Sequence, residues 1–462
     1  MSFFIRNNRG GGRVKRKFNG TQSISKQSKK FAKKSVSDDD ESIASTDEEF
    51  AEENFKSKTE RFVSESEEEE ETAQEKRIRL AKKYIKEIEE EEKDRAEFEE
   101  GAVSQRLHKE YLEEKGRLRK TVAICYIGHK DLISLKCKEH KTSITCICLL
   151  SDGSVLYSGA KDGSIVKWSL KTHSKLIALK GKKVKTEVTL SHYIQCLAIS
   201  TDGKFLVVGD RNCNDIKVLC GNTLKHIKNL QGHRGSVSGL VFRKNTHTLY
   251  SASTDRSIKV WNLDDMAYVE SFFGHQGGIT SIDALSRERA VTSGFDSSIR
   301  IWKIVEESQL IFNGHSNNSI DEVKLINEEN FFSCGSDGQL CVWSSLKKKP
   351  LCTVTEAHGK DETNNQALWI SSIAALLNTD LVASGSRDGS IKLWQCGEAF
   401  RSLNPLFEVK IPGFINALAF TPDGNHLIAG VGQEHRNGRW WRVGNVKNCI
   451  IVIPLIRSEK HK

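Results

Sequence analysis

The stretch that decides the fold is GHRGSVSGLVFRKNTHTLYSASTDRSIKVWN, residues 232–262. A Gly-His pair opens it, and three short apolar runs follow at residues 237–241, 249–253 and 258–260. Turn residues, among them Asp255, separate the runs. Apolar side chains that alternate with a period of two and are punctuated by turns predict three consecutive β-strands.

The same unit recurs along the chain. Four histidines stand 21 or 22 residues before an aspartate, and each aspartate stands six residues before a tryptophan. The four sets are His140, Asp162 and Trp168; His233, Asp255 and Trp261; His275, Asp296 and Trp302; and His315, Asp337 and Trp343. A repeat of roughly 40 to 45 residues with this punctuation is typical of a four-stranded propeller blade. A set that occurs four times is interpreted as a structural clamp, in which the histidine bonds the aspartate and a strand hydroxyl, rather than as a catalytic site.

Seven such blades account for residues 121–462. They begin near His140, His192, His233, His275, His315, His358 and Phe414. The strand around Ile133 and Leu135 precedes the first complete repeat, so we expect it to complete the last blade and close the ring, which removes exposed sheet edges. The pattern leaves open whether residues 449–455 form the third or the fourth strand of that blade. The predicted fold is all-β: a seven-bladed WD40 β-propeller with a disordered N-terminal tail and a charged helical extension.

Three blades depart from the repeat. The second has Val218 or Leu219 where the tryptophan belongs, with an extra residue displacing its aspartate. In the sixth, His358 precedes Asp388 by 30 residues, which predicts an insertion within residues 359–367. The last blade replaces the clamp with GVGQEHRNGRWWR, residues 430–442. Because local rules are most often broken at functional sites, these departures are where we expect function.

The segment in the last blade interleaves guanidinium and aromatic groups, which suit RNA: arginines meet phosphates, and flat side chains stack on unpaired bases. The candidate RNA-binding residues there are His435, Arg436, Arg439, Trp440 and Arg442. The alternative is that Trp440 and Trp441 pack within the seventh blade while the arginines form salt bridges with neighbours. A second basic candidate lies between the first two blades and comprises Lys180, Lys182, Lys183 and Lys185.

The net charge of +9 conceals a strong segregation of charge. Residues 1–34 hold eleven Lys/Arg and no acid, whereas residues 35–71 hold sixteen Asp/Glu and three Lys/Arg. Residues 1–71 are poor in apolar side chains, so we expect them to be disordered. The basic residues that fit a two-part nuclear import signal, or alternatively a nucleic-acid-binding arm, are Arg13, Lys15, Arg16, Lys17, Lys29, Lys30, Lys33 and Lys34. The serines with an acid three residues on, as acid-directed kinases prefer, are Ser37, Ser45, Ser64 and Ser66.

Residues 72–120 change to a helical pattern. Thr72 and Glu75 form a capping box, and apolar residues follow at spacings of three and four until Gly101 interrupts them. A second helical piece ends in the basic sequence GRLRK, residues 116–120. The apolar stripe is too narrow for an independent core, so we expect this extension to dock on the propeller or on a partner.

Several functional classes find no support in the sequence. There is no secretory signal and no run of 18 apolar residues, so no membrane association is expected. None of the twelve cysteines forms a CxxC pair, which favours reduced thiols in an intracellular protein and argues against a metal site. No nucleophile elbow, phosphate loop or metal-ligand set is present, so we expect neither an enzyme nor a cofactor.

Several segments resemble one family closely. They are AQEKRIRLAKKYI (73–85), residues 237–262, EESQLIF (306–312), WISSIAALLNTDLVASGS (369–386), LWQCGEAFR (393–401) and AGVGQEHRNGRWW (429–441). From about residue 73 onward the chain is similar to the WD-repeat family of the U3 small nucleolar ribonucleoprotein. Over residues 1–70 it matches only in character, a basic and then an acidic tail.

The resemblance implies a nucleolar, non-enzymatic subunit that binds the box B/C region of U3 small nucleolar RNA. The partners implied are a small kink-turn-binding protein of the box C/D particle and other small-subunit processome proteins, in the processing that releases 18S RNA. A protein-only adaptor, either a ubiquitin-ligase substrate receptor or a signalling scaffold, is the alternative. The WDxR tetrapeptide of many ligase receptors is absent, because Ser, Asn, Lys or Gln follows each repeat tryptophan.

Overall fold

A computed structural model describes residues 73–93, 102–114, 116–136, 138–181, 193–314, 318–361 and 365–458. The nuclear import residues, the four candidate phosphorylation sites and Thr72 lie outside them. So do Lys182, Lys183, Lys185, His192 and His315.

The described residues form seven antiparallel sheets arranged as a propeller. Blades one to three comprise β3–β6 (Ile144–Leu149, Val155–Ala160, Ile165–Ser169, Ser174–Leu179), β7–β10 (Ile194–Ile199, Phe205–Asp210, Ile216–Cys220, His226–Leu230) and β11–β14 (Val237–Phe242, Thr248–Ser253, Ser257–Asn262, Ala267–Phe273). Blades four to six comprise β15–β18 (Ile279–Ala284, Arg289–Gly294, Ser298–Lys303, Ser308–Asn313), β19–β22 (Ile320–Leu325, Asn330–Gly335, Leu340–Ser344, Lys347–Val354) and β23–β26 (Ile370–Ala375, Leu381–Ser386, Ser390–Cys396, Leu403–Lys410).

Blade seven closes the ring by combining strands from the beginning and the end of the propeller sequence. Its strands are β27 (Phe414–Phe420), β28 (His426–Gly432) and β29 (Cys449–Arg457), joined by β1 (Tyr126–His129) and β2 (Ile133–Leu135). Ile133 pairs with Val452 in antiparallel register, so the expected closure is confirmed. Strand β29 lies between β28 and the β1–β2 edge, which makes it the third strand and resolves the alternative left open by the sequence.

The hydrophobic core lies between adjacent blades. One cluster, for example, joins Tyr250 and Ile258 of blade three to Ile279 and Ile282 of blade four. The second strand of each blade is buried almost throughout because its sheet has a neighbour on both faces. Burial on both faces explains why these strands read as apolar and small residues rather than as a strict alternation.

A buried hydroxyl lies at the centre of each described clamp. In blade three, Trp261 donates its indole N–H to Ser251 Oγ at 2.8 Å, and the same oxygen lies 2.8 Å from His233 Nε2. The other ring nitrogen of His233 lies 3.0 Å from Asp255. Because a carboxylate only accepts, the ring carries its proton on Nδ1 and Nε2 accepts from Ser251. The indole, hydroxyl, imidazole and carboxylate therefore form one directed chain.

The indole-to-hydroxyl bond is common to five blades. The pairs are Trp168 with Ser158, Trp261 with Ser251, Trp302 with Thr292, Trp343 with Ser333 and Trp394 with Ser384, at 2.8 to 2.9 Å. His140 differs slightly, because its ring bonds Ser158 and Ser164 while Asp162 bonds the backbone N–H of Lys141.

The sixth blade keeps a complete clamp in spite of its insertion. His358 lies 3.0 Å from Asp388 and 2.8 Å from Ser384. A backbone bridge between Lys360 and Ala367 closes the base of the inserted segment. The insertion therefore leaves the clamp histidine of this blade in place.

Blades two and seven replace the tryptophan and its hydroxyl together. Register places Leu219 and Val208 at the positions of Trp168 and Ser158, and it places Ile453 and Ala429 there in blade seven. All four replacements are fully buried. Removing donor and acceptor together leaves no unpaired polar group, which makes the exchange nearly neutral in stability.

The helical extension contains α1 (Ala73–Lys93) and α2 (Ala102–Glu114), followed by a 3₁₀ turn, Ala123–Cys125. The two helices meet where Tyr84 Oη donates to Glu110 at 2.7 Å. Arg117 pairs with Glu329 at 2.6 Å, and the backbone N–H groups of Val122 and Ala123 donate to Asp380 Oδ1. The segment that follows the helices thus docks on the propeller, whereas Ile78 and Ile85 of the predicted apolar stripe remain exposed.

The remaining features of the described part of the chain concern its cysteines, its helices and possible metal ligands. Its eleven cysteines are free thiols. None of its helices is both long and apolar enough to cross a membrane. Within the same residues, no group of three His, Cys, Asp or Glu side chains is placed to hold a metal ion.

Candidate nucleic-acid interface

The connection from β28 to β29, residues 433–448, folds inward over the central channel, and we call it the plug loop. It lies on the face that carries the Gly-His segments and the turns between second and third strands, which we call the top face. The opposite, bottom face carries the turns between first and second strands, including those at Glu329 and Asp380. The plug loop and the docked GRLRK segment therefore lie on opposite faces.

Buried polar groups hold the backbone of the plug loop. The amide of Asn416 donates to the carbonyl of Glu434 at 2.9 Å, and its oxygen accepts from the N–H of Arg436. Ser143 of the first blade bonds the N–H of Glu434 at 3.0 Å. Asn416 is fully buried, so these contacts fix the path of the loop where it leaves blade seven.

Cations from the first two blades hold the tip of the loop. Lys161 Nζ donates to the carbonyl of His435 at 2.6 Å and lies 3.5 Å from Glu434. Arg211 donates to the carbonyl of Asn437 at 2.6 Å and stacks over Tyr193. Contacts to separate blades explain why an irregular loop has one conformation.

Arg436 points down into the channel. Its guanidinium donates to the backbone carbonyl of Asp321 at 3.0 Å and lies 3.7 Å from Glu322, on the innermost strand of blade five. The side chains of Arg436 and Glu322 are 14% and 13% exposed, so this ion pair is largely shielded from solvent. Burial raises the pKa of Asp321 to about 6, although Arg436 and the Trp369 indole act in the opposite direction.

His435 is also internal. It is 2% exposed, and its ring lies 4.2 Å from that of Trp369. Burial, and then the cations Arg436 and Lys161, lower the pKa of His435 to about 3, so the ring is neutral near pH 7. Two of the five candidates from the sequence, His435 and Arg436, therefore support the loop from within. The salt-bridge alternative describes Arg436, which pairs with Glu322, and also Arg439, which pairs with Glu434.

The other three candidates face solvent. Trp440 is 61% exposed, and the Arg439 side chain is 75% exposed although it bonds Glu434 at 2.9 Å. Arg442 is exposed as well and bonds Gln433 at 3.3 Å. The loop thus exposes the indole rings of Trp440 and Trp441 and the guanidinium groups of Arg439 and Arg442, which are side chains that can stack on an unpaired base and contact its flanking phosphates.

Two residues of blade six extend this surface. Trp369 lies beneath the loop, with its ring 5.8 Å from Trp440 and tilted by 34°. Arg387 lies 4.5 Å over the ring of Trp441 and pairs with Asp361 of the inserted segment. Sequence reasoning missed both residues. The only signal was positional, because Arg387 directly precedes the clamp aspartate and so had to lie on the top face.

The second basic candidate is described only in part. Lys180 is exposed just after the outermost strand of blade one, and the remaining three lysines lie outside the described residues. This second basic candidate therefore stays a prediction.

The repeats of this chain match a known protein family. The family model "WD domain, G-beta repeat" matches residues 131–169, 224–262, 267–303, 306–344 and 351–395. Each match ends one residue after a tryptophan that donates to a buried hydroxyl. The human "U3 small nucleolar RNA-interacting protein 2" is 46% identical over 400 residues, which cover 84% of this chain and 83% of that protein. The chain belongs to the U3 small nucleolar RNA-interacting WD-repeat family.

Other members agree with this assignment. A solved structure titled "Structure of U3-55K" is 48% identical, with a TM-score of 0.67, and covers 70% of this chain and 98% of that one. "Ribosomal RNA-processing protein 9" of Saccharomyces cerevisiae is 27% identical over 463 residues, covering 77% of this chain and 79% of that protein.

Proposed function

We propose that the chain is a non-enzymatic RNA-binding scaffold subunit of the U3 small nucleolar ribonucleoprotein. In this proposal it holds the box B/C region of U3 small nucleolar RNA and supports the processing that yields 18S RNA in the nucleolus. The names of its relatives, which refer to U3 small nucleolar RNA and to ribosomal RNA processing, support this role. Its partners would be a kink-turn-binding protein of the box C/D particle and other small-subunit processome proteins.

The observation that carries the proposal is that some side chains of the plug loop point into the propeller while others point into solvent. Arg436 and His435 are turned inward and hold the loop, whereas Arg439, Trp440 and Arg442 are turned outward. A large aromatic side chain that is exposed on a loop held by many contacts indicates a binding surface. Stacking on it favours an unpaired nucleotide over a regular duplex, because bases within a duplex are already stacked.

The arginines give this contact a predictable dependence on salt. Each guanidinium that meets a phosphate releases condensed counterions, so affinity falls as salt concentration rises. The aromatic contribution is much less sensitive to salt, since stacking neutralises no charge. A specific complex should therefore keep part of its affinity at salt concentrations that abolish non-specific binding.

Ultraviolet crosslinking in cell extract tests the proposal. The RNA bound to the full chain is crosslinked and sequenced, and the crosslinked peptides are mapped. We expect U3 small nucleolar RNA, with crosslinks in the peptide that contains Trp440. Recovery of messenger RNA fragments alone, or of no RNA, would contradict the proposal and favour the protein-only adaptor.

A further inference from the structure

The first helix of the extension carries a basic surface separate from the plug loop. Between residues 76 and 86, α1 contains six Lys/Arg and no Asp/Glu. At 100° per residue, five of the six fall within an arc of about 120° on one side of the helix. We call this set the basic stripe, and it comprises Lys76, Arg79, Lys82, Lys83 and Lys86.

The basic stripe faces solvent. All five of its residues are exposed. On the other side of α1, Tyr84 bonds Glu110 of α2 and Ile88 is 2% exposed. Helix α1 therefore packs on α2 through the side opposite the stripe. The ten steps from Lys76 to Lys86 make the stripe about 15 Å long at a rise of 1.5 Å per residue.

The stripe has a sharp boundary at its C-terminal end. Glu87 follows Lys86 directly, and four consecutive glutamates occupy residues 89–92. Opposite charges spread evenly along a helix stabilise it through local ion pairs, whereas this helix holds six basic residues and one acid, Glu75, in residues 73–86 and five acids in residues 87–92. Separation concentrates positive potential on one short surface, which is the electrostatic footprint of a polyanion-binding site.

We propose that the basic stripe binds the phosphate backbone of structured RNA without reading its sequence. Lysine is a flexible point charge suited to single phosphates, and four of the five stripe residues are lysines. The stripe contains no aromatic side chain, and Tyr84 is turned toward α2, so base stacking is not available there. Duplex nucleic acid carries a charge about every 1.7 Å along its axis in the B-form, so a 15 Å stripe meets several phosphates.

The helices join the propeller at the bottom face, away from the plug loop. Helix α2 ends at Glu114, two residues before Gly116, which packs tightly against Glu328 on the bottom face. The plug loop lies on the top face. An RNA that engages both surfaces therefore has to extend past the rim of the propeller, with the unpaired region on the plug loop and a neighbouring stem on the stripe.

The test replaces the four lysines in the full-length chain: Lys76→Gln, Lys82→Gln, Lys83→Gln and Lys86→Gln. Glutamine has nearly the same helix propensity as lysine, so α1 should remain folded. The matched control removes four exposed lysines of the propeller, namely Lys171→Gln, Lys225→Gln, Lys244→Gln and Lys410→Gln. Affinity is measured against U3 small nucleolar RNA and an unrelated RNA hairpin over a series of salt concentrations.

The stripe variant should bind both RNAs about tenfold or more weakly, and its plot of log K against log salt should be shallower by about three. The control variant should retain most of its affinity. Unchanged affinity and slope in the stripe variant would overturn the proposal. If, in addition, carbodiimide joined Lys82 or Lys83 to glutamates of residues 35–71 in the free chain, the stripe would belong to the chain's own acidic tract instead. Weaker binding of both RNAs by the stripe variant is distinguishable from loss of the plug-loop site. Loss of that specific site would lower the affinity for U3 RNA alone.

Discussion

The clamp of blade three gives a stability prediction that can be worked from single atoms. Ser251 is fully buried, accepts the indole N–H of Trp261 and donates to the ring of His233, both at 2.8 Å. Replacing it with alanine leaves a buried donor on Trp261 and a buried acceptor on His233 without partners. Each unsatisfied group costs about 1 to 3 kcal/mol, so we expect Ser251→Ala to lower the free energy of unfolding by about 2 to 6 kcal/mol.

Blade four supplies the control for this substitution. Thr292 occupies the equivalent position there and accepts the indole N–H of Trp302 at 2.8 Å. We therefore expect Ser251→Thr to keep the chain of hydrogen bonds and to cost less than about 1 kcal/mol. Ser308→Ala removes an exposed hydroxyl and should change stability by less than about 0.5 kcal/mol.

The assay is urea unfolding of the three variants, followed by circular dichroism. The midpoint for Ser251→Ala should fall well below those for Ser251→Thr and Ser308→Ala, with RNA affinity unchanged in all three. Equal midpoints for alanine and threonine at position 251 would refute the idea that the shared hydroxyl is what stabilises the clamp. Loss of RNA affinity in a folded Ser251→Ala protein would instead give the clamp a direct functional role.

Three further predictions address the plug loop, the response to acid and the docked extension. Arg436→Met should destabilise the protein by about 3 kcal/mol, because the buried carboxylate of Glu322, which also accepts the backbone N–H of Ile373, loses its ion pair with Arg436. Hydrogen exchange should quicken in the plug loop, and unchanged protection there would contradict this. Burial lowers the pKa of His140 in the folded protein to about 4, whereas its pKa in the unfolded chain is near 6.5. As pH falls from 6.5 toward 4, the unfolded chain therefore binds a proton at this residue more readily than the folded protein does. Wild type should therefore lose about 2 kcal/mol more than His140→Gln between pH 7 and pH 5 in urea titrations, whereas parallel losses would show that His140 does not titrate in this way. Asp380→Ala removes the acceptor of two backbone N–H groups and should make trypsin cleave at residues 117–120 several times faster; an unchanged cleavage rate would mean that other contacts hold the segment.

Spacing in the sequence was sufficient to predict the propeller and its closure. A tryptophan six residues after an aspartate fixes the turn and the third strand of a blade, so the blades could be counted without coordinates. Ile133 and Leu135 were correctly placed in the last blade because an unassigned strand before the first repeat has only one open edge to join. The order of strands around β29 could not be read, since its partner β28 is close in sequence and its other partners are more than 300 residues away.

The candidate site was predictable only as a segment. The sequence singled out residues 430–442 because the clamp is missing there, but it could not say which side chains of that loop point inward. Arg436 and His435 are internal because of Asp321, Glu322 and Trp369, which lie between 66 and 115 residues away along the chain. A loop whose conformation depends on five blades cannot be oriented from its own composition.

The most direct test of the account is the affinity of the full-length chain for box B/C RNA when the exposed part of the plug loop is removed. The variant carries Arg439→Gln, Trp440→Ala and Arg442→Gln. Its matched control loses an exposed aromatic and two exposed arginines elsewhere, through Phe273→Ala, Arg256→Gln and Arg401→Gln. Stacking alone contributes about 1 to 3 kcal/mol per base, so the plug-loop variant should bind at least about tenfold more weakly while the control binds as wild type does. Equal affinity of the two folded variants would place the RNA-binding surface outside the plug loop.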